Sequence, residues 1–321
     1  MHKYLITGGS GFIGTNLINE LNEVFDKIVI LNIDIKKPQI AEHNKYWVDC
    51  DINNYNELKK NCLNFDPDYI IHLAARTDTL SDEISDYYTN IHGVENIINV
   101  SNICTNLKKV IITSTQYVYK DINGATPKND NDYKPHTTYG FSKMMTEEIT
   151  QNKSLKPFTI IRPTNIWGPR NNNYINGLFR VIKSGYFVLP TGKLSIKSYG
   201  YVGNICHQII KISEDKDRIN NVLYVGEKEY SSKIWIENIH NRIRGNKPKY
   251  VPLYLLKYLA IIGDILLFLK IPFPFYSTRL NNMREDYFVP INNTLKLYGL
   301  KYKDLQKNID VTVEDFFNAC K

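Results

Sequence analysis

Cysteine is scarce in this chain, and no two cysteines lie close together in sequence. The 321 residues contain five cysteines and no CxxC pair, at positions Cys50, Cys62, Cys104, Cys206 and Cys320. An odd number of widely spaced cysteines is not the pattern of a disulfide framework. We therefore expect a reducing compartment, and the sequence predicts no metal site.

The sequence also lacks a long basic run, and we expect no signal peptide. Its 40 Lys and Arg residues and 33 Asp and Glu residues are scattered, for a formal net charge of +7. This modest charge does not predict a nucleic-acid groove, and an anionic small substrate is enough to explain it. Because the N-terminus leads directly into an apolar strand, we expect a cytoplasmic protein.

No apolar run is long enough to cross a bilayer. The most apolar stretch, residues 250–276, is divided by Lys257, Asp264 and Lys270, and a spanning helix needs roughly 18 to 20 residues. We therefore expect no membrane span. The preferred interpretation is a buried cap helix that ends at Pro272, and an amphipathic helix at a membrane surface is the alternative.

A glycine-rich turn near the N-terminus predicts a dinucleotide site. An apolar strand runs into Gly8, Gly11 and Gly14 and then into an apolar-periodic helix. Glycines at this spacing let the chain turn tightly, let a pyrophosphate approach backbone N–H groups and let the helix pack closely on the strand. We assign Phe12 and Ile13, which open the helix, to the same cofactor site.

An acidic residue after the second strand favours NAD. Residues 28–33 form a buried-strand pattern that ends in Asp34, where a carboxylate accepts hydrogen bonds from the adenosine ribose and repels a 2′-phosphate. Lys36 and Lys37 leave the phosphorylated cofactor open. The structural alternative for Asp34 is an aspartate that caps a turn.

Further strand patterns alternate with helical patterns along the first half of the chain. Residues 69–75 and 109–115 are buried-strand runs, with helical spacing over residues 55–65 before them and over a long segment from about Ser81 to Asn106 between them. This order predicts an α/β fold with a Rossmann-type, doubly wound parallel sheet. His72, inside a strand, is best interpreted as a core residue, whereas Thr115 falls at a strand's carboxyl end, where functional residues are expected.

A tyrosine and a lysine four residues apart complete the pattern. Tyr139 and Lys143 lie in a predicted helix, and this spacing places both side chains on one face. A single such pair is common on solvated helices. Its occurrence after the glycine turn, Asp34 and Thr115, in this order, favours a shared site.

This ordered set of motifs resembles the extended short-chain dehydrogenase/reductase family. The resemblance is to its nucleotide-sugar epimerases, dehydratases and reductases, among which UDP-galactose 4-epimerase is a familiar member. The matching stretches are residues 7–14, Asp51 with Ile52, residues 72–75, Asn90, residues 113–115 with Val118 and Tyr119, Tyr139 with Lys143, and residues 162–169.

The resemblance implies a set of site residues. It implies catalysis by Thr115, Tyr139 and Lys143 on a bound NAD. It implies further cofactor contacts from Asp51, Ile52, Leu73, Ala74, Ala75, Asn90 and Pro163. It also implies a nucleotide-diphosphate sugar as substrate, with contacts from Thr115, Tyr117, Asn165, Asn176 and Lys197. Lys197 stands where the family usually has an arginine, which keeps the charge and loses the bidentate fork. Aromatic packing is the alternative for Tyr117.

The chemistry depends on the tyrosine. A free phenol has a pKa of about 10, and we expect Lys143 and a positive nicotinamide to favour the phenolate of Tyr139. Family dehydratases place Asp-Glu directly after the catalytic threonine, where this chain has Gln116 and Tyr117. Dehydration and decarboxylation are therefore disfavoured.

A nucleotide-sugar epimerase acting at C4 through a transient ketosugar is the leading hypothesis. A nucleotide-sugar C4 dehydrogenase or a ketosugar reductase of the same family is the alternative. A non-catalytic protein that senses NAD(H) and a steroid-type dehydrogenase are less favoured.

Two domains are expected. Residues 1–167 with about 199–226 are assigned to an NAD-binding Rossmann domain, and about 168–198 with 227–321 to a smaller, mostly helical substrate-binding domain. The resemblance also implies a homodimer, formed through the helices that begin near Ser81 and Tyr139.

Overall fold

The computed structural model describes residues 2–120, 125–271 and 273–320. The chain divides into two compact units. The first comprises Met1–Ile166, Gly200–Glu227 and Val289–Lys303, and the second comprises Trp167–Tyr199, Lys228–Phe288 and Asp304–Lys321. The sequence-based division placed residues 289–303 in the second domain, whereas their contacts group them with the first unit.

The strands are short and regular. They are β1 (His2–Thr7), β2 (Ile28–Ile33), β3 (Trp47–Val48), β4 (Tyr69–His72), β5 (Lys109–Thr113), β6 (Phe158–Pro163), β7 (Asn165–Trp167), β8 (Val188–Pro190), β9 (Ile196–Tyr201), β10 (Asn221–Val225), β11 (Glu229–Ser231) and β12 (Lys249–Val251).

Helices alternate with most of these strands. They are α1 (Phe12–Val24), α2 (Tyr55–Phe65), α3 (Tyr88–Ile103), α4 (Thr138–Lys153), α5 (Asn172–Tyr174), α6 (Arg180–Ser184), α7 (Val202–Glu214), α8 (Ser232–Arg244), α9 (Leu253–Phe268), α10 (Ser277–Asn282), α11 (Asn292–Tyr298) and α12 (Leu305–Ala319). A π-helical turn, Ile175–Phe179, joins α5 to α6.

The first unit is built on a seven-stranded sheet in the order β10-β6-β5-β4-β1-β2-β3, and every pairing is parallel. The direction of winding reverses between β1 and β4. Thr7, the last residue of β1, is in register with Ile33 on one side and with His72 on the other. In open α/β sheets, ligands bind outside the carboxyl ends of the strands at this reversal.

Alternating side chains of the strands cover the sheet on both faces. Tyr4 and Ile6 of β1 pack with residues of α1 and α7, whereas Leu5 packs with residues of α2 and α3. Successive side chains of a strand point to opposite faces, so a continuous apolar strand is buried on both sides. The predicted fold class, a Rossmann-type doubly wound parallel sheet, is confirmed.

Helix α3 is shorter than the pattern over residues 81–106 predicted. It begins at Tyr88, after a 3-10 turn at Ile84–Tyr87. The Tyr87 hydroxyl donates to the Asp78 carbonyl oxygen (2.9 Å) and the Ser81 hydroxyl donates to the Asp86 carboxylate. The Ser81 hydroxyl also accepts from the Glu83 amide (3.2 Å), and the Tyr87 hydroxyl also reaches the Ser81 carbonyl oxygen (3.4 Å). Such side-chain bonds to backbone groups compete with a helix and hold this segment as a loop.

The second unit combines helices with two small strand pairs. β9 pairs with β11 in antiparallel register, and β8 pairs with β12 in parallel register. Its core is aromatic: the Trp235 ring lies 5.8 Å from Trp167 and 5.3 Å from Tyr199, and Phe179 lies 5.6 Å from Phe316.

The expectation of a buried cap helix over the apolar stretch is wrong. Within α9 only Leu256, Ala260 and Gly263 are buried, and they form one narrow stripe. A Cβ on Gly263 would lie 1.9 Å from the Phe275 carbonyl oxygen, so the glycine admits the following segment against this stripe. Leu253 and Leu266 are half-buried, and the other residues of α9 are exposed. Pro272, where the helix was predicted to end, lies outside the described residues.

A buried ion pair fastens α4 to the sheet. Arg162 in β6 donates from Nε to Glu147 Oε1 (2.9 Å) and from Nη2 to Oε2 (2.7 Å), and neither side chain is exposed. The Tyr133 hydroxyl also donates to the carboxylate (2.9 Å), as does the Ser114 hydroxyl. A bidentate pair with these extra donors satisfies charges that burial would otherwise leave uncompensated.

Arg162→Leu should lower the free energy of unfolding by about 3–5 kcal/mol, because it leaves the Glu147 carboxylate buried and unpaired. Chemical denaturation monitored by circular dichroism measures the change. The matched control is Arg242→Leu, which removes a half-exposed pair with Asp310 and should cost at most about 1 kcal/mol. Equal losses in the two variants would contradict the assignment.

Candidate active site

The glycine turn lies between β1 and α1 and touches the backbone that follows β4. Gly8 has a φ of +74°, and a Cβ on it would lie 2.6 Å from the Ala74 nitrogen. A Cβ on Gly14 would lie 2.4 Å from the Gly8 carbonyl oxygen. No other residue type fits these two positions without moving backbone, so the glycines set both the tightness of the turn and the close start of α1.

The first turn of α1 is shaped for an anion. Gly11 is the N-cap, so no side chain caps the helix, and the first turn carries no acidic residue. Phe12 and Ile13 are the first helical residues, and the first amides of a helix lack intrahelical partners. With the helix dipole, these N–H groups favour a negative ligand. The diphosphate of a dinucleotide fits this arrangement.

Asp34 lies beside the turn. Its Oδ2 accepts a hydrogen bond from the Ser10 amide (3.0 Å), and its Oδ1 accepts one from the Lys36 amide (2.9 Å). The carboxylate therefore connects the end of β2 with the glycine turn, and it remains half-exposed. Asp34 therefore caps the turn and also lies where its carboxylate could accept hydrogen bonds from the ribose of a dinucleotide. Lys36 and Lys37 are exposed.

The chain leaving β4 is held against β1 and α4. The Leu73 amide donates to the Thr7 carbonyl oxygen (3.0 Å). Asn90 accepts from the Arg76 amide (2.7 Å), and its Nδ2 donates to the Arg76 carbonyl oxygen (3.0 Å) and to the Ser142 hydroxyl (3.2 Å). Asn90 therefore positions the backbone that follows Leu73, Ala74 and Ala75.

His72 is a core residue, as predicted. Its Nδ1 lies 2.7 Å from the Thr7 hydroxyl, and burial, together with the nearby Lys143 ammonium, lowers the pKa of His72 to about 3. The imidazole is therefore neutral at physiological pH. Its proximity to Lys143 places that ammonium near the junction of β1 and β4, just before the glycine turn.

Tyr139, Lys143 and Thr115 meet at the carboxyl end of β5. The Tyr139 phenol is hydrogen-bonded to the Thr115 side chain, and the Lys143 ammonium donates to the Thr113 carbonyl oxygen (2.8 Å). All three side chains are buried. Thr137 begins the helix, since its hydroxyl accepts from the Gly140 amide (2.9 Å), and this cap fixes where Tyr139 starts the first turn.

Burial dominates the electrostatics of this group. It raises the pKa of Tyr139 well above its usual value, and the hydrogen bond from Thr115 only partly offsets this effect. Burial lowers the pKa of Lys143 to about 8, against the opposing effect of the Glu147 carboxylate. The expectation that Lys143 brings the Tyr139 phenol toward neutrality therefore does not hold for the protein alone. A further positive charge beside the phenol would act against burial.

Residues that follow Thr115 reach the end of the neighbouring strand. Gln116 Nε2 donates to Asn165 Oδ1 (3.0 Å), just after Pro163 ends β6. The Tyr117 ring lies edge-on to Tyr139 at 6.4 Å between centroids, and burial raises the pKa of Tyr117. Asn165, Tyr117 and Pro163 are thus gathered at the edge that carries Thr115.

The remaining site residues of the sequence analysis lie elsewhere. Ile52 is a buried core residue after β3, and the exposed Asp51 accepts from the Asn53 amide (2.9 Å). In the second unit, Asn176 is exposed in the π-helical turn that follows α5. The Lys197 ammonium donates to the Asn282 carbonyl oxygen (2.5 Å).

The sequence analysis missed the buried partners of α4. Arg162 stands in an apolar strand, and such a charge requires a buried counter-charge. Glu147 lies four residues after Lys143 and therefore on the same helix face. These two signals were present, but only the fold shows that the two residues pair.

Comparison with known proteins identifies the family. The sequence model of the NAD dependent epimerase/dehydratase family matches residues 4–226. The match covers the glycine turn, the strand ends and the Tyr139/Lys143 helix. The chain belongs to this family.

Individual relatives show which proteins the chain is similar to. It is 30% identical over 210 residues to N-acetyl-alpha-D-glucosaminyl-diphospho-ditrans,octacis-undecaprenol 4-epimerase of Escherichia coli O157:H7, over 63% of this chain and 60% of that relative's length. It is 29% identical to GDP-6-deoxy-D-talose 4-dehydrogenase of Aggregatibacter actinomycetemcomitans, over 71% of this chain and 76% of the relative.

Solved structures share the fold. The structure of UDP-glucuronic acid 4-epimerase from Bacillus cereus, in complex with UDP-glucuronic acid and NAD, superposes with a TM-score of 0.74 at 18% identity, covering 99% of each chain. This likeness supports the Rossmann-type architecture.

Lys143→Met should raise the free energy of unfolding at pH 7, by on the order of 1–3 kcal/mol, because the variant no longer buries a charge. The wild-type protein should gain stability as the pH rises from about 8 to 10.5, where the unfolded chain binds the proton and the folded protein does not. The variant should lack this gain. Denaturant titrations across this pH range measure both effects.

The control is Lys216→Met, which replaces an exposed lysine and should leave the pH profile unchanged. A Lys143→Met protein less stable than wild type at pH 7 would show that the bond to Thr113 outweighs the effect of burial.

Proposed function

We propose that the protein is an NAD-dependent nucleotide-sugar 4-epimerase. The observation that carries this proposal is the buried Tyr139 phenol, hydrogen-bonded to Thr115 and one helical turn from the Lys143 ammonium. A structural tyrosine also bonds its buried hydroxyl, as Tyr4 does to Ser213, but it needs no buried ammonium on the same helix face. Membership of the NAD dependent epimerase/dehydratase family supports the reaction class, and relatives named as 4-epimerases support C4 as the reacting carbon of the sugar.

The cofactor would be held by the glycine turn and the strand ends around it. The amides after Gly11 would bind the diphosphate, Asp34 the adenosine ribose, and Lys143 the nicotinamide ribose. Asp51, Ile52, residues 73–75 and Pro163 are proposed to complete the cofactor site, with Asn90 as a positioning residue. Bound NAD would supply the hydride acceptor and donor at the sugar carbon.

The chain's own residues would move the proton. Tyr139 takes the proton from the C4 hydroxyl and returns it later, acting as general base and then as general acid. The Thr115 hydroxyl bonds to the phenol and orients it toward the sugar. The Lys143 ammonium, on the same helix face, would add to the positive charge of the bound nicotinamide in favouring the phenolate.

The residues after Thr115 favour epimerisation over elimination. Removal of a proton beside a ketone needs a base, and Gln116 presents an amide that already donates to Asn165. Burial raises the pKa of Tyr117, which makes it a weaker acid and its phenolate scarcer. The alternative is a C4 dehydrogenase or ketosugar reductase, and the relative from Aggregatibacter is named as a 4-dehydrogenase. A non-catalytic NAD(H) sensor is the least favoured reading, since it needs no activated phenol.

A nucleotide-diphosphate sugar is the proposed substrate. Asn165, Asn176 and Lys197 are its proposed diphosphate and nucleotide contacts, with Tyr117 and Thr115 at the sugar. A sugar on polyprenyl diphosphate is a second candidate, because the Escherichia coli relative is named for that substrate and because α9 exposes a large apolar face.

Epimerisation makes a specific isotopic prediction. With a sugar nucleotide deuterated at C4, the product should keep the deuterium and carry the inverted hydroxyl, with no accumulation of NADH. Proton NMR and absorbance of the same reaction measure these outcomes, on UDP- and GDP-sugars and on a sugar linked to polyprenyl diphosphate. Stoichiometric NADH that is never consumed would establish the dehydrogenase alternative instead.

Tyr139→Phe should lower kcat by roughly 10²–10⁴-fold, because it removes the acid–base group, while NAD binding is retained. Turnover and calorimetric titration with NAD measure the two effects. The control is Tyr4→Phe, which removes another buried hydroxyl, one bonded to Ser213, and should leave turnover unchanged. Equal loss of turnover and of NAD binding in Tyr139→Phe would mean that the tyrosine is structural.

We also propose a cytoplasmic homodimer. Support comes from the exposed apolar side chains of Tyr88 and Ile103 on α3 and Phe141 on α4, two helices that the resemblance implicates in dimer contacts. Light scattering of the purified protein gives the mass directly, and a monomer at micromolar concentration would contradict the proposal.

A further inference from the structure

Helix α9 presents a wide apolar face to solvent. Tyr258 is 67% exposed, Ile265 54% and Phe268 86%. We use the name "α9 face" for the exposed residues Tyr254, Tyr258, Ile261, Ile262, Ile265, Phe268 and Leu269. Single exposed apolar residues are common, but a contiguous group of this size marks an interaction surface.

The exposed face and the buried stripe of α9 lie on opposite sides of the helix. At about 100° per residue, the α9 face covers an arc of roughly 120°, opposite the stripe of Leu256, Ala260 and Gly263. Leu256 and Ala260 pack on Leu280. The helix is therefore anchored on one side and apolar on the other.

The sequence on either side of this helix is basic. Residues 238–284 contain 8 Lys and Arg residues and 1 acidic residue, and of these Arg242 pairs with Asp310 and Lys247 with Glu237, both outside this range. The single acid, Asp264, accepts from the Ser277 amide (3.1 Å) and hydroxyl and is thus committed to capping α10. Lys257 and Lys270 are exposed within and just beyond α9.

The helix is too short to cross a bilayer. Its 16 residues span about 24 Å at 1.5 Å per residue, less than the roughly 30 Å of a hydrocarbon core. Across the described residues, the structure contains no helix with the length and apolarity that spanning requires. If it bound a bilayer, an exposed apolar helix too short to span would have to lie in the plane of the interface.

We propose that the α9 face docks the protein on a bilayer that contains anionic lipid. The apolar side chains enter the boundary between headgroups and acyl chains, and Lys257 and Lys270 contact anionic headgroups. A protein partner fits this face less well, because interfaces between proteins carry about one hydrogen bond per 100–200 Å² and only the two tyrosine hydroxyls of the α9 face can form one.

Vesicle flotation with the full-length protein tests the proposal. The protein should float with vesicles of phosphatidylcholine mixed with phosphatidylglycerol, and binding to phosphatidylcholine alone should be weaker, because each lysine near the surface contributes about five-fold in affinity toward anionic lipid. The combined variant Tyr258→Gln, Ile262→Gln, Ile265→Gln and Phe268→Gln should lose at least ten-fold in partitioning.

The matched control replaces exposed apolar residues elsewhere. Leu80→Gln, Leu155→Gln and Tyr186→Gln change side chains that are 82–86% exposed and should leave flotation unchanged. Equal flotation of the two combined variants would overturn the proposal. A wild-type protein that floats with neither kind of vesicle would also overturn it. If, in addition, light scattering gave a lower molecular mass for the α9 variant than for wild type, the α9 face would be an interface between copies of the chain.

A second measurement avoids any dependence on the folding of the combined variant. Phe268→Trp adds one indole on the α9 face, and bromine-labelled lipid should quench its fluorescence. Leu155→Trp is the matched control and should be unaffected by the label. Equal quenching in the two variants would also overturn the proposal.

Discussion

The buried ion pair between Glu147 and Arg162 determines where the chemistry of this protein sits. Arg162 belongs to β6, an interior strand next to the edge of the sheet, and Glu147 belongs to the helix that carries Tyr139 and Lys143. Two charges that are fully removed from water are tolerated only with close and complete hydrogen bonding, which leaves α4 a single position against the sheet. Ser114, which donates to the same carboxylate, ties this position to the strand end that presents Thr115.

From that fixed helix, the site assembles at the carboxyl edge of the sheet. Lys143 reaches the Thr113 carbonyl oxygen, and its charge also acts on His72, which bonds to Thr7 just before the glycine turn. The proposed catalytic group and the proposed cofactor turn are therefore connected through buried side chains of one unit. Burial works against both titratable groups, since it raises the pKa of Tyr139 and lowers that of Lys143. Burying these two groups therefore costs stability, and it gives Tyr139 a pKa that an added positive charge can lower strongly.

Local patterns in the sequence predicted the features that depend on neighbouring residues. The glycine turn, the buried strands and the four-residue spacing of Tyr139 and Lys143 follow from backbone geometry and periodicity, and the fold they predicted is the fold observed. The start of α3 was misplaced, because side-chain bonds of Ser81 and Tyr87 hold a loop that periodicity does not reveal. The pairing of Glu147 with Arg162 joins two distant segments and needed the tertiary structure.

The apolar segment around α9 shows why composition alone misleads. A run of leucine and isoleucine predicts that a helix is buried, but it does not predict which element the helix packs against. Whether it packs inside a domain depends on the number of partner elements around it, and here one stripe packs on Leu280 and the rest faces outward. Residues 289–303 pose the same problem, because their position in sequence suggested the second unit and their contacts place them in the first.

The central claim is that a buried phenol becomes a base when positive charge is placed beside it. Ultraviolet absorbance detects tyrosinate, and the difference between wild type and Tyr139→Phe isolates this residue during a pH titration. We predict that the apparent pKa of Tyr139 lies above 10 in the protein alone and falls toward neutrality when NAD binds. A pKa that does not move on NAD binding would contradict the account.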